Sequence, residues 1–266
     1  LKIRKDIAFM VKKTSIFSIA KTLQEHELFA FRHQMLKDLF DLDTDQAAHL
    51  LGRMESEGLV ARPERGKYIL LGLTPEKTLS NHLFIGSHLV TPGYISFWSA
   101  LHFYGFTEQV PQTVFISTTR KKSTLTFQGT IYEFITLRPD HFFGYRGEIQ
   151  AGLPVLIADE AKAIVDSLQR PQYAGGVAEV AKALRNALPQ MDLDRLVCYA
   201  NRLGNRSLCS RLGYLLDQLD VTVEGLDISR GPVKLDPARA RGGDFHPDWR
   251  IYANLSTESL FPEGVG

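Results

Sequence analysis

The stretch from Asp43 to Gly66 constrains this chain more than any other. Asp43 stands where a helix N-cap belongs, and Gln46 follows three residues later in the capping-box position. Ala47, Leu50, Leu51 and Met54 then recur at helical spacing, and Gly58 supplies the stop. Leu59 to Arg62, the turn-forming Pro63-Glu64-Arg65-Gly66 and Lys67 to Leu71 read as a short hairpin. A helix carrying such a stripe must bury it, and a hairpin starting two residues later must close the same core. Two helices are predicted upstream. Ser15 to Glu25 carries Ile16, Ile19, Ala20 and Leu23 on one face, and Phe31 to Phe40 carries Met35, Leu36, Leu39 and Phe40. Leu28 and Phe29 form an apolar joint between them, and Asp41-Leu42-Asp43 ends the second.

The polar side of the third helix carries Asp45, His49, Gly52 and Ser56, flanked by Gln46 and Arg53. Three helices followed by a hairpin with basic residues near its tip resemble the winged helix-turn-helix of DNA-binding regulators. In that arrangement one helix enters a major groove while the hairpin touches phosphate. The expected DNA-binding residues are Thr44, Gln46, His49, Arg53, Arg62, Arg65 and Lys67. The fold also serves to hold proteins together, so a protein-interaction module is the competing reading. Whole-chain charge does not decide between them, because the formal net charge is only +1.

A length of 266 residues leaves room for a second core. The expected plan is α+β: a winged helix-turn-helix over residues 1–72, a linker helix within 73–91 opened by Thr74-Pro75, and a larger domain over 92–266. Pro92-Gly93 breaks the chain ahead of an aromatic-rich helix from Ser96 to Tyr104. Strands are predicted at Thr113 to Thr118, Leu125 to Phe127, Thr130 to Leu137 and Leu153 to Ala158, giving a mainly antiparallel or mixed sheet. Helices are predicted at about Glu160 to Leu168, Gly176 to Leu188, Leu193 to Leu203 and Ser207 to Leu219.

The larger region carries a more specific likeness. Its phrases are Tyr94-Ile95-Ser96-Phe97-Trp98-Ser99-Ala100-Leu101-His102-Phe103-Tyr104-Gly105 and Gln109-Val110-Pro111-Gln112-Thr113-Val114-Phe115-Ile116. Phe142-Phe143-Gly144-Tyr145, Ile157-Ala158-Asp159-Glu160-Ala161-Lys162-Ala163 and Gly175-Gly176 follow in order. Arg211-Leu212-Gly213-Tyr214-Leu215-Leu216, Leu235-Asp236-Pro237 and Trp249 complete the set. With these, residues 15 to 250 resemble the AbiEi antitoxins of AbiE-type abortive-infection systems. The resemblance implies a transcriptional autorepressor of double-stranded promoter DNA, with antitoxin activity in the larger domain. It implies a functional partner too, an AbiEii-like nucleotidyltransferase toxin, without a stable complex. Relatives also occur as stand-alone regulators.

The alternative in chemistry is a metal-dependent nuclease. Asp140, then Glu160 and Lys162, follow the acid, acid, lysine order in which two carboxylates hold a divalent ion and the lysine positions the attacking water. That chemistry wants the last two on one face of a strand, yet the strand is predicted to stop at Ala158, with Asp159 as a helix N-cap. No catalytic residue, metal or cofactor is therefore expected. The run Arg120-Lys121-Lys122 between two strands is a candidate second basic surface, against a plain solvated loop. Cys198 and Cys209 lack metal-ligand spacing and read as reduced thiols. No apolar run has the length of a membrane span, and Leu1 to Lys13 lacks a signal-peptide core, so a cytoplasmic protein without a membrane partner is expected.

Overall fold

The computed structural model describes residues 15–72 and 74–262. The chain is α+β and divides into two compact units. One runs up to Thr91 and takes in residues 127–129 and 149–154; the other holds the remainder. Among the described residues no helix is long and apolar enough to cross a membrane.

The first unit opens with α1 (Ile16–Glu25), β1 (Ala30–Arg32), α2 (His33–Phe40) and α3 (Thr44–Ser56). The hairpin of β2 (Val60–Glu64) and β3 (Lys67–Leu70) follows, then α4 (Pro75–Ser80) and α5 (His82–His88). The sheet order is β1-β3-β2, antiparallel throughout, with Arg32 opposite Lys67 and Val60 opposite Leu70. The helices close on this sheet through Ile16, Ile19, Leu23, Leu36, Leu51 and Met54, each 5% exposed or less. At about 1.5–3 kcal/mol per buried Leu or Ile, this shared core outweighs any surface pair in holding the helices to the sheet.

Local chemistry explains why α3 starts where it does. Asp43 accepts from the Gln46 backbone N–H at 2.8 Å while the Gln46 side chain accepts from the Asp43 N–H at 3.1 Å, satisfying two donors that the first turn would leave unpaired. Other expectations need correction. Phe31 and Arg32, read as the start of the second helix, lie in β1 and pair with β3, so α2 begins at His33. Met35 lies outside the buried stripe and is 38% exposed. Pro63 and Glu64 belong to β2 behind a bulge, leaving Arg65-Gly66 as the turn, with Gly66 at φ 76°. The single linker helix is two short helices broken at Asn81, whose side chain accepts from the Phe84 N–H and so starts α5.

The second unit carries most of a six-stranded mixed sheet in the order β6-β7-β5-β4-β9-β8. Its strands are β4 (Gly93–Ile95), β5 (Thr113–Thr118), β6 (Leu125–Phe127), β7 (Thr130–Thr136), β8 (Tyr145–Gln150) and β9 (Leu153–Ala158). β5 and β7 run parallel, β4 is antiparallel to β5, and β4 is parallel to β9. The strands β4 and β8 escape sequence reading: β4 has three residues, all buried, and so shows no alternation.

Helices α6 (Phe97–Phe103), α7 (Glu160–Gln169), α8 (Val177–Ala187), α9 (Leu193–Arg202) and α10 (Arg206–Asp217) complete the layer. α6, α8, α9 and α10 all pack on α7. Surrounded in this way, α7 is buried from Ala161 through Leu168, and its two charged side chains there, Lys162 and Asp166, must satisfy each other. A small sheet of β10 (Val233–Lys234), β12 (Ile251–Tyr252) and β11 (Phe245–His246) follows, with α11 (Thr257–Leu260) after it.

Candidate nucleic-acid interface

The residues expected to contact DNA fall into two groups on the first unit. Thr44, Gln46, His49 and Arg53 are all exposed on α3. Thr44 and Gln46 are partly committed. The Thr44 hydroxyl accepts from Lys37 Nζ at 2.7 Å, its carbonyl is 3.2 Å from His33 Nε2, and the Gln46 oxygen holds the cap. These bonds tie α2 to the first turn of α3 across Asp41, which sits at φ 51°. His49 and Arg53 are exposed, and among the described residues no other side chain hydrogen-bonds to their ring or guanidinium.

On the hairpin the basic residues behave differently from one another. Arg65 is exposed at the turn. Arg62 is exposed and lies over the Tyr68 ring at 5.8 Å, with Tyr68 stacked on Phe31 beneath. Lys67 departs from the expectation: its side chain is 12% exposed, donates to the Leu89 carbonyl and lies 3.5 Å from Glu64. It braces β3 to the end of α5 and is not presented to a phosphate.

Arg32 was missed by sequence reading. It is exposed on β1, opposite Lys67 in the register, and its neighbours in sequence gave no strand signal. Acidic side chains share this surface: between residues 15 and 72 seven Lys and Arg face nine Asp and Glu. Attraction to a polyanion would therefore depend on where the arginines are placed, not on net charge.

In the second unit Arg120 and Lys121 are exposed in the loop after β5, while Lys122 lies 5.0 Å over the Phe134 ring. The loop is pinned by Arg120 N–H to Thr118 Oγ1 at 3.2 Å and by Thr136 Oγ1 to the Arg120 carbonyl at 3.4 Å.

The geometry separates the three residues of the nuclease alternative. Asp140 pairs with Arg138 on the surface, 2.7 Å at the closer contact. Glu160 sits in the first turn of α7, where Arg146 holds both its oxygens at 2.7 and 2.8 Å. Partial burial, the largest single effect, raises the Glu160 carboxyl pKa, but the Arg146 bonds, its own backbone N–H and the charges of Arg146 and Arg195 together hold it below its ordinary value. Lys162 points inward, with Nζ 2.5 Å from Asp166 Oδ1 and 4.4 Å from the Phe143 ring centre. Asp159 caps α7 at the Lys162 N–H and accepts from Tyr199 at 3.0 Å, and burial raises its pKa. Among the described residues no three His, Cys, Asp or Glu side chains come together in a group able to hold a metal ion.

No family model matches this chain, and no curated protein matches it. Among solved structures it is similar to the crystal structure of the RV2827C protein from Mycobacterium tuberculosis. The two are 14% identical over 91% of this chain and 92% of that one, with a TM-score of 0.54. At that identity the likeness speaks for a shared fold and for nothing further.

Proposed function

We propose that this chain is a DNA-binding transcriptional autorepressor and the antitoxin of an AbiE-type system, with its first unit a winged helix-turn-helix. The observation carrying the DNA reading is the exposure of His49 and Arg53 on capped α3 together with Arg62 and Arg65 on the hairpin that follows it. Their apolar neighbours are used up in the core, so these polar groups are what the surface offers a partner. Arginine suits both tasks of such a surface, bidentate contact with guanine and contact with phosphate. Arg32 joins the phosphate-facing set and Lys67 leaves it.

The antitoxin reading rests on the resemblance of residues 15 to 250 to AbiEi proteins, whose specific phrases lie almost wholly beyond Pro92, and its target would be an AbiEii-like nucleotidyltransferase toxin. Arg120 and Lys121 are the basic residues of the second unit's loop that remain open to it. The nuclease alternative is not favoured, because Glu160 and Lys162 serve opposite sides of α7.

A two-part assay tests the reading in the full chain. A reporter driven by the native promoter measures repression, and growth during co-expression with the neighbouring toxin gene measures neutralisation. Arg53→Ala with Arg65→Ala should relieve repression and leave neutralisation intact, while Arg120→Ala with Lys121→Ala should do the reverse. Repression with no toxin gene alongside would leave a stand-alone regulator, and failure to repress with wild-type protein would reject the DNA reading.

A further inference from the structure

A cleft of about 190 Å³ in the second unit lies where the end of β7, the short helical turn Pro139–His141 and the end of α7 meet. Its acceptors are already engaged. Asp166 receives Lys162 Nζ on Oδ1, and the hydroxyls of Tyr94 and Ser96 on Oδ2 at 3.1 and 2.7 Å. The Gln169 side-chain oxygen accepts from Asn205 Nδ2 at 2.8 Å.

Donors are left over. The Gln169 bond fixes its amide so that the NH2 group is what it can still offer. Arg170 gives one terminal nitrogen to the Thr136 carbonyl at 3.3 Å, and among the described residues its other N–H groups meet no hydrogen-bond acceptor. Arg138 spends Nε and Nη2 on Asp140, leaving Nη1. Among the described residues the His141 ring makes no hydrogen bond, and burial, outweighing the nearby Asp140 carboxylate, lowers its pKa.

Charge and shape narrow the ligand. Lys162 matches Asp166 and Arg138 matches Asp140, so Arg170 is the cation without a counter-charge among the groups facing the cleft. The remaining wall is apolar, formed by Phe97, Leu137 and Leu203. Phe97 holds φ 52° at the join of β4 and α6, a strained conformation for a bulky side chain and one that recurs at ligand sites. A planar carboxylate presents two acceptor atoms, whereas a phosphate monoester presents three oxygens that can meet Arg138, Gln169 and Arg170 from different directions.

We propose that this cleft binds the phosphate of a small phosphate monoester, with the organic part of the ligand packed on Phe97, Leu137 and Leu203. The volume is well below that of ordinary drug-sized pockets, roughly 300–1,000 Å³, which limits the ligand to a few heavy atoms beyond the phosphate. The proposal is independent of the DNA reading, since none of these residues lies in the first unit.

Isothermal titration of the full chain tests it, with phenyl phosphate, inorganic phosphate and phenol as probes, and a single-stranded oligonucleotide with and without a 5′-phosphate. Phenyl phosphate should bind more tightly than inorganic phosphate, and phenol should not bind. Arg170→Gln should weaken phenyl phosphate by about tenfold or more, as expected for losing a hydrogen bond to a charged group. Arg138→Gln, an exposed change that the fold tolerates, should weaken it by a smaller factor, and Arg53→Ala should leave it unchanged. Tighter binding of the 5′-phosphorylated oligonucleotide than of phenyl phosphate, lost in Arg170→Gln, would place the phosphate on a nucleic-acid end and overturn the small-molecule assignment. Absence of binding by phenyl phosphate at millimolar concentration, or equal binding in wild type and in both arginine variants, would overturn the site.

Discussion

Lys162 and Asp166, one turn apart on α7, form an ion pair whose side chains are 0% and 4% exposed. The pair sits under four packed helices, and Tyr94 and Ser96 satisfy the second carboxylate oxygen. Lys162 is thereby a core residue, although its sequence neighbourhood resembles a metal-nuclease motif. Removing one partner of a buried pair strands the other, at a cost of about 3–5 kcal/mol. We predict that Lys162→Met lowers unfolding stability in urea by that order, and that Asp166→Asn also destabilises. A Lys162→Met protein of wild-type stability would contradict the pairing.

Glu160 tests the same motif from the other side. Its folded pKa lies below the ordinary carboxylate value because the Arg146 bonds, its own backbone N–H and the nearby Arg146 and Arg195 charges together overcome partial burial, the largest single effect. A depressed folded pKa means that the pair's contribution is present above the unfolded pKa and is lost as pH falls through the folded one. The stability gap between wild type and Glu160→Gln should therefore be open at pH 7 and close below about pH 4, the ordinary carboxylate range. Neither protein should cleave DNA or RNA with magnesium or manganese. Cleavage abolished by Glu160→Gln would restore the nuclease.

Gly213 on α10 and Trp249 make a close contact in the second unit. A Cβ at position 213 would lie 2.1 Å from Cε3 and Cζ3 of the Trp249 ring, nearer than packed atoms approach. Gly213→Ala should destabilise by about 1–3 kcal/mol through overpacking. Adding Trp249→Leu should recover part of that loss, a non-additivity that thermal melts of the four proteins can measure.

What the sequence reveals follows from how local each signal is. The cap of α3 was readable because Asp43 and Gln46 lie three residues apart, and α7 to α10 were readable from helical spacing. Strand β4 and the two-residue strands β10, β11 and β12 were not: all are too short to show an alternation, and β4 takes its partners, β5 and β9, from far along the chain. Lys67 misled for the same reason. Basic character near a hairpin tip says nothing of a carbonyl twenty-two residues away. The cleft joins residues 138, 141 and 170, a meeting that no linear motif announces.

Salt dependence separates placement from net charge. With Arg32, Arg62 and Arg65 as the phosphate contacts, log K against log salt should have a slope of about −3 per bound protomer. Arg65→Ala should flatten that slope by about 1 and weaken all sequences alike, and Lys67→Ala should leave it unchanged. A steep slope near −8 would require cations beyond those placed here.

The central claim is that α3 reads DNA, and Arg53 is its most direct test. Fluorescence anisotropy of the full chain on a duplex from its own promoter, against a scrambled duplex of equal length, should show a clear preference for the promoter. Arg53→Ala should cost about 1–3 kcal/mol on the promoter and little on the scrambled duplex, narrowing the difference between them. Equal affinity of wild-type protein for both duplexes, or an Arg53→Ala protein that discriminates as wild type does, would contradict the account.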